Sequence, residues 1–214
     1  MTPTTILLFF AFIFLPLASC APPPAPPPTS PSHDPATLFI RSRCNLTRYP
    51  DLCFASLSPY AAAVDGSAPE LARVAANVTL ARLRGFRAHV AALRRAGAAR
   101  GRAAAALRDC SEQLGDAADQ MCHTHNELRG LEELVPTEVE WRVSNAQTWM
   151  SAALTNEESC SDGFNEAAAA FAYGGVGSGG SGFDVKTDIC GRVRRVKQYT
   201  SNALALVNSL VSGR

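Results

Sequence analysis

Apolar positions in the middle of the chain recur at steps that alternate between three and four. Over residues 101–135 the series is Leu107, Cys110, Leu114, Ala117, Met121, Thr124, Leu128, Leu131 and Val135. That period is helical and makes one straight seam along a cylinder. It predicts a helix over 101–135, ended or kinked by Pro136. Val139, Val143, Ala146, Met150 and Ala153 predict a further helix over 137–155. Val185, Ile189, Val193, Val196, Thr200, Ala203, Val207 and Leu210 predict a last one over 184–211. Upstream, Leu71, Val74, Val78 and Ala81 predict a helix over 67–96. Ser67 is its N-cap, Pro69 and Glu70 stand in its first turn, and Gly97 ends it. No strand-like alternation of period two occurs. Four amphipathic helices joined by mostly short breaks bury their stripes only against one another. The expected fold class is therefore all-α, an antiparallel up-down four-helix bundle.

The ends of the chain read differently. Ile6–Leu17 is an apolar run shorter than the ~20 residues a membrane span needs, and it contains Pro16. Small residues follow it, so residues 1–20 are expected to be a signal peptide cleaved after Cys20, although MTPTT carries no Lys or Arg. LASC at 17–20 also matches a lipid-anchor signal, but the basic flank such signals carry is missing. Residues 21–36 are Pro-rich and predict a stiff, solvated linker, with a glycosylated wall-binding tract as the alternative. GGVGSGGSG at 174–182 predicts a flexible loop before the last helix. The domain proper then spans 37–212. Two sequons, at Asn45 and Asn77, suit an exported protein.

Export permits disulfides, and with Cys20 removed six cysteines remain. Cys44 and Cys53 lie nine positions apart around Pro50, a spacing that suits a small closed hairpin, with Asp51 able to cap a new turn after Pro50. Cys110 lies near the start of the 101–135 helix and Cys160 beyond the end of the antiparallel 137–155 helix. Those levels coincide in an up-down bundle, so a Cys110–Cys160 bridge is geometrically reasonable. Cys122 and Cys190 sit on helices that run parallel, at levels about 20 Å apart at 1.5 Å per residue. Two free thiols are expected there.

Four stretches carry a family resemblance: RCNLTRYPDLC (43–53), LRDCSEQLGDAADQM (107–121), WMSAALTNEESCSDGF (149–164) and QYTSNALALVNSL (198–210). Together they resemble the plant invertase and pectin methylesterase inhibitor family over about residues 37–212. The resemblance implies a four-helix bundle with an N-terminal helical hairpin extension and disulfides Cys44–Cys53 and Cys110–Cys160. It implies no catalysis and no cofactor: members bind an enzyme one-to-one and cover its active-site cleft. It also implies secretion to the apoplast or cell wall. Carried over residue by residue, the enzyme-facing positions are Glu112, Asp116 and Asp119, with Ser159 and Asp162 beside Cys160. Ser159 stands where pectin-directed members usually have threonine. The Pro-Lys-Phe motif of invertase inhibitors is absent. The expected partner is pectin methylesterase, with acid invertase as the alternative.

Residue chemistry gives a second view of these positions. Glu112, Asp116 and Asp119 are spaced four and three, so they share one helix face, away from Cys110, Leu114 and Ala117. By spacing alone that face is solvated surface; the resemblance makes it a binding face. The formal net charge is +1, which gives no argument for nucleic acid. Residues 73–108 nevertheless hold nine arginines and no acid. Arg82, Arg84, Arg87, Arg94, Arg95, Arg100 and Arg102 read either as solvated helix faces or as a weak contact with polyanionic pectin. Cys122, His123 and His125 lack a second ligand pair nearby, so no metal is expected. Trp141 and Trp149 fall one position from the seam and predict packing at its edge. No membrane partner is expected in the mature form. A ligand-carrying bundle and a Pro-rich wall structural protein are the readings from other classes.

Overall fold

The computed structural model describes residues 34–174 and 181–211, so the signal peptide, most of the linker and most of the Gly-rich loop lie outside the described residues. Seven α-helices are described: α1 (Pro35–Cys44), α2 (Pro50–Leu57), α3 (Ala61–Val64), α4 (Ala68–Arg95), α5 (Gly101–Glu127), α6 (Pro136–Gly174) and α7 (Ser181–Asn208). Short 3₁₀ turns, Ser58–Tyr60 and Leu131–Glu133, precede α3 and α6. The long helices α4 to α7 form the expected bundle, each packed on the next and α7 closing against α4. Leu71, Leu83, Leu114, Met121, Met150 and Ile189 are among the fully buried side chains of its core.

Local chemistry sets several boundaries where the sequence puts them. Ser67 caps α4 by accepting a hydrogen bond from the Glu70 N–H at 3.1 Å. At the other end Gly97 takes φ +62°, and the Ala98 N–H reaches back to the Leu93 carbonyl at 3.1 Å. That pair of features is a Schellman stop, which needs a residue tolerant of positive φ. Pro50 opens α2, and Asp51 lies in its first turn rather than at its cap. The Cys44–Cys53 disulfide, with Cα atoms 5.5 Å apart, closes the hairpin of α1 and α2. Buried Asn202 on α7 then pins that hairpin to the bundle. Its amide donates to the Tyr49 carbonyl at 2.9 Å and accepts from the Tyr49 N–H at 3.0 Å.

Two helix boundaries differ from expectation. The 101–135 helix stops at Glu127; Gly130 has φ +63° and a 3₁₀ turn follows. Leu128 and Leu131 stay buried across that break, which is why the seam reads as continuous. Val135, the last seam position, is 62% exposed instead. Pro136 starts α6 rather than ending α5. The second difference is larger: α6 runs on for nearly twenty residues beyond 155. Ser, Asn, Asp and Gly in 156–163 are weak helix formers and suggest an end. The seam nevertheless continues through Glu157, Cys160, Phe164 and Ala167, all buried, and that burial outweighs propensity.

Two further expectations are corrected. Trp141 is 68% exposed, so it is surface rather than edge packing; Trp149 stacks on His123 with ring centroids 4.7 Å apart. Cys122 is disulfide-bonded, and Cys190 alone is free among the described residues. The comparison of levels excluded Cys190 as a partner for Cys122; it did not exclude every partner.

Candidate functional site

The Cys110–Cys160 disulfide joins α5 to α6 with Cα atoms 4.2 Å apart. It sets the register of two antiparallel helices, so positions near Cys110 share a level with positions near Cys160. Glu112, Asp116 and Asp119 are exposed on α5; Ser159 and Asp162 are exposed on α6. At about 100° per residue, the three acids lie roughly 180–240° round α5 from Cys110. They therefore project straight out to solvent rather than across to α6. The seam of the two helices is bridged lower down, where the Asn156 amide donates to the Gln120 side chain at 3.0 Å.

The five positions thus form two outward faces held at fixed relative height, not a closed pocket. Among the described residues none of the five bonds to another. Ser159 donates to the Thr155 carbonyl at 3.0 Å, a turn back along its own helix. Its hydroxyl oxygen keeps acceptor capacity for a partner group. Such a surface offers carboxylates and a hydroxyl to another protein and holds no group poised for bond making.

One residue close to this surface was not foreseen. Glu157 is fully buried between α6 and α7, where the Thr200 hydroxyl donates to its Oε1 at 2.5 Å. Its Oε2 has no hydrogen-bond partner. Burial pushes its carboxyl up to about 8, against the opposing pull of Thr200 and Lys197. The seam contained the signal: Ala153, Glu157, Cys160 and Phe164 step by four, three and four, so Glu157 occupies a core position. The next residue, Glu158, instead pairs with Lys197 of α7 at 2.7 Å on the surface.

The sequons are placed differently from each other. Asn45 is exposed just beyond α1. Asn77 is half-buried within α4, its amide oxygen is enclosed without a partner, and Thr79 is buried on the Ala75 carbonyl. His125 is also enclosed at its Nδ1, and burial, then Arg73 and Arg129, hold its pKa below the usual value.

The sequence profile described as plant invertase/pectin methylesterase inhibitor matches residues 38–206. The chain belongs to that family. It is 37% identical to pectinesterase inhibitor 9 of Arabidopsis thaliana over 188 residues, covering 86% of each chain. It is 35% identical over 180 residues to the 21 kDa protein of Daucus carota, covering 83% of this chain and 86% of the relative. A crystal structure of a mutant form of a pectin methylesterase inhibitor from Arabidopsis shares the fold, with a TM-score of 0.57 at 17% identity, over 79% of this chain and 95% of that one. Two of the relatives, pectinesterase inhibitors 9 and 11 of Arabidopsis thaliana, are named as inhibitors and not as enzymes. The disulfides Cys44–Cys53 and Cys110–Cys160 are those the family resemblance implies.

Proposed function

We propose that this protein inhibits pectin methylesterase by binding it one-to-one and covering its active-site cleft. The observation that carries the reading is the 37% identity, along nearly the whole of both chains, to a relative named as a pectinesterase inhibitor. The exposed acid face of α5 and the outward Ser159 and Asp162 of α6 supply a surface for it. A rigid, solvent-facing set of carboxylates favours fast, oriented association with polar and cationic groups on an enzyme. Inhibition in this reading is occlusion, so no chemical step belongs to this chain. The apolar run Ile6–Leu17 and the oxidised cysteines favour action outside the cell, in the wall.

The test is direct. Purified protein is added to a pectin methylesterase and, separately, to an acid invertase, and both activities are measured. Stoichiometric loss of methylesterase activity with invertase untouched is the expected result. Loss of invertase activity alone would transfer the reading to that enzyme.

A further inference from the structure

At the turn between α4 and α5 the surface opens into a cleft of about 440 Å³. Arg94 and Arg95 reach it from the last turn of α4, and Arg108 from two turns into α5. Its floor is apolar and shallow, made of alanines with Leu107. No carboxylate lines it. Among the described residues none of the three guanidinium groups forms an ion pair or a side-chain hydrogen bond, although Arg73, Arg142 and Arg192 each pair with a carboxylate elsewhere. Arg108 and Glu112 stand one turn apart on α5 and do not pair. Three arginine side chains thus line one concavity that has no acidic residue in its lining.

We propose that this cleft binds the carboxylates of a polyuronate, the de-esterified product of the enzyme the protein is read to inhibit. The choice of a uronate rests on that reading; the preference for carboxylates rests on the cleft. A guanidinium presents a planar fork that matches a carboxylate with two parallel hydrogen bonds, and charge assistance makes those bonds strong. The three forks come from two helices across an open cleft. That spread suits successive carboxylates along a chain better than one compact tetrahedral anion. The alanine floor suits the C–H faces of sugar rings, because it lets them approach without displacing long side chains. The volume falls within the ~300–1,000 Å³ typical of small-ligand sites. Methyl esterification removes the negative charge, so the site distinguishes product from substrate polymer by charge alone. The cleft precedes Glu112, Asp116 and Asp119 along α5, which leaves the acid face free while a uronate is held. The inhibitor would then concentrate on stretches of polymer already de-esterified.

Calorimetric titration of the purified protein, with no enzyme present, tests this. The probes are short oligogalacturonates, their methyl esters and inorganic sulfate, at physiological ionic strength. Binding of the free-acid oligomer alone is expected. Arg94→Ala and Arg108→Ala should each weaken it by about tenfold, the loss of one charge-assisted contact. Arg94→Lys should weaken it less, since it keeps the charge and loses the fork. Arg129→Ala, which removes an exposed charge just beyond the far end of α5, should leave it unchanged. Equal binding of the methyl ester, sulfate binding as tight as the oligomer, or equal weakening by Arg129→Ala would each overturn the proposal. Inhibition assays on the same variants keep the two readings apart. Failure to inhibit leaves the titration standing, and a flat titration with inhibition intact removes only the cleft.

Discussion

At the scale of single residues, Glu157 has the sharpest consequence. Its folded carboxyl sits at about 8, against an ordinary value of 4.5, because burial penalises the charge more than Thr200 and Lys197 relieve it. Between those values the folded protein holds a proton that the unfolded chain has released. Stability contributed at this site is therefore full at low pH and falls as pH rises from about 4.5 towards about 8. The loss is about 3 kcal/mol by neutral pH if the site titrates alone. Glu157→Gln keeps the size and an acceptor for Thr200 but carries no charge. Urea unfolding across that pH range should show the variant more stable than the parent at neutral pH and the slope between the two values flattened. An unchanged slope would mean that the carboxyl is not buried as described. His125 acts in the opposite sense: its depressed pKa lowers stability only as pH falls below its unfolded value.

At the scale of elements, the decisive one is α6. It carries Cys160 and the candidate contact residues Ser159 and Asp162 in its interior, so their positions depend on helix continuity rather than on a flexible end. The Cys110–Cys160 bridge closes a loop of 50 residues, far longer than the nine of Cys44–Cys53. In the chain-entropy model the first contributes about 4 kcal/mol and the second about 2.5. Replacing Cys110 and Cys160 together by alanine should lower unfolding free energy by roughly the larger figure, measured in denaturant under oxidising conditions. A loss no greater than that of the Cys44, Cys53 pair would show that the bundle holds α5 and α6 in register without the bond. The ends of α4 illustrate the opposite case, where local chemistry suffices. Ser67 and Gly97 are where the chain itself signals a start and a stop, and both do their expected work.

At the scale of the whole molecule, function lies in the relation between two helix faces and the charges they carry. Glu112, Asp116 and Asp119 of α5 form no ion pair among the described residues, so removing them should spare the fold. Asp116→Ala combined with Asp119→Ala is expected to weaken inhibition of pectin methylesterase by about tenfold or more, the scale of a contact residue at an interface. Circular dichroism should be unaltered. Full inhibition by a folded double variant would remove α5 as the contact face. The α4–α5 end carries the opposite charge, so one helix passes from cationic to acidic within about a turn of Arg108. That division lets one small bundle present two kinds of surface to two kinds of partner.

The periodicity of apolar residues by itself determined the helical class and most of the inward-facing positions, and the short breaks between the long helices determined how they alternate in direction. The Cys44–Cys53 and Cys110–Cys160 bonds agreed with spacing and level and were implied by the family resemblance, whereas the bonding of Cys122 was not foreseen; the three acids were legible as one outward face. These are properties of a repeating pattern, which a one-dimensional reading detects. Tertiary structure decided the rest, because burial competes with local preference. A seam that runs unbroken past Glu127 could not show that Leu128 and Leu131 are buried from a turn rather than a helix. Weak helix formers after residue 155 could not show that Phe164 and the Cys160 bridge hold α6 together. Glu157 lies past the expected helix end at 155, so its core register went unread until α7 covered it. Nor could a count of arginines show that three of them, from two helices, line one cleft with an apolar floor.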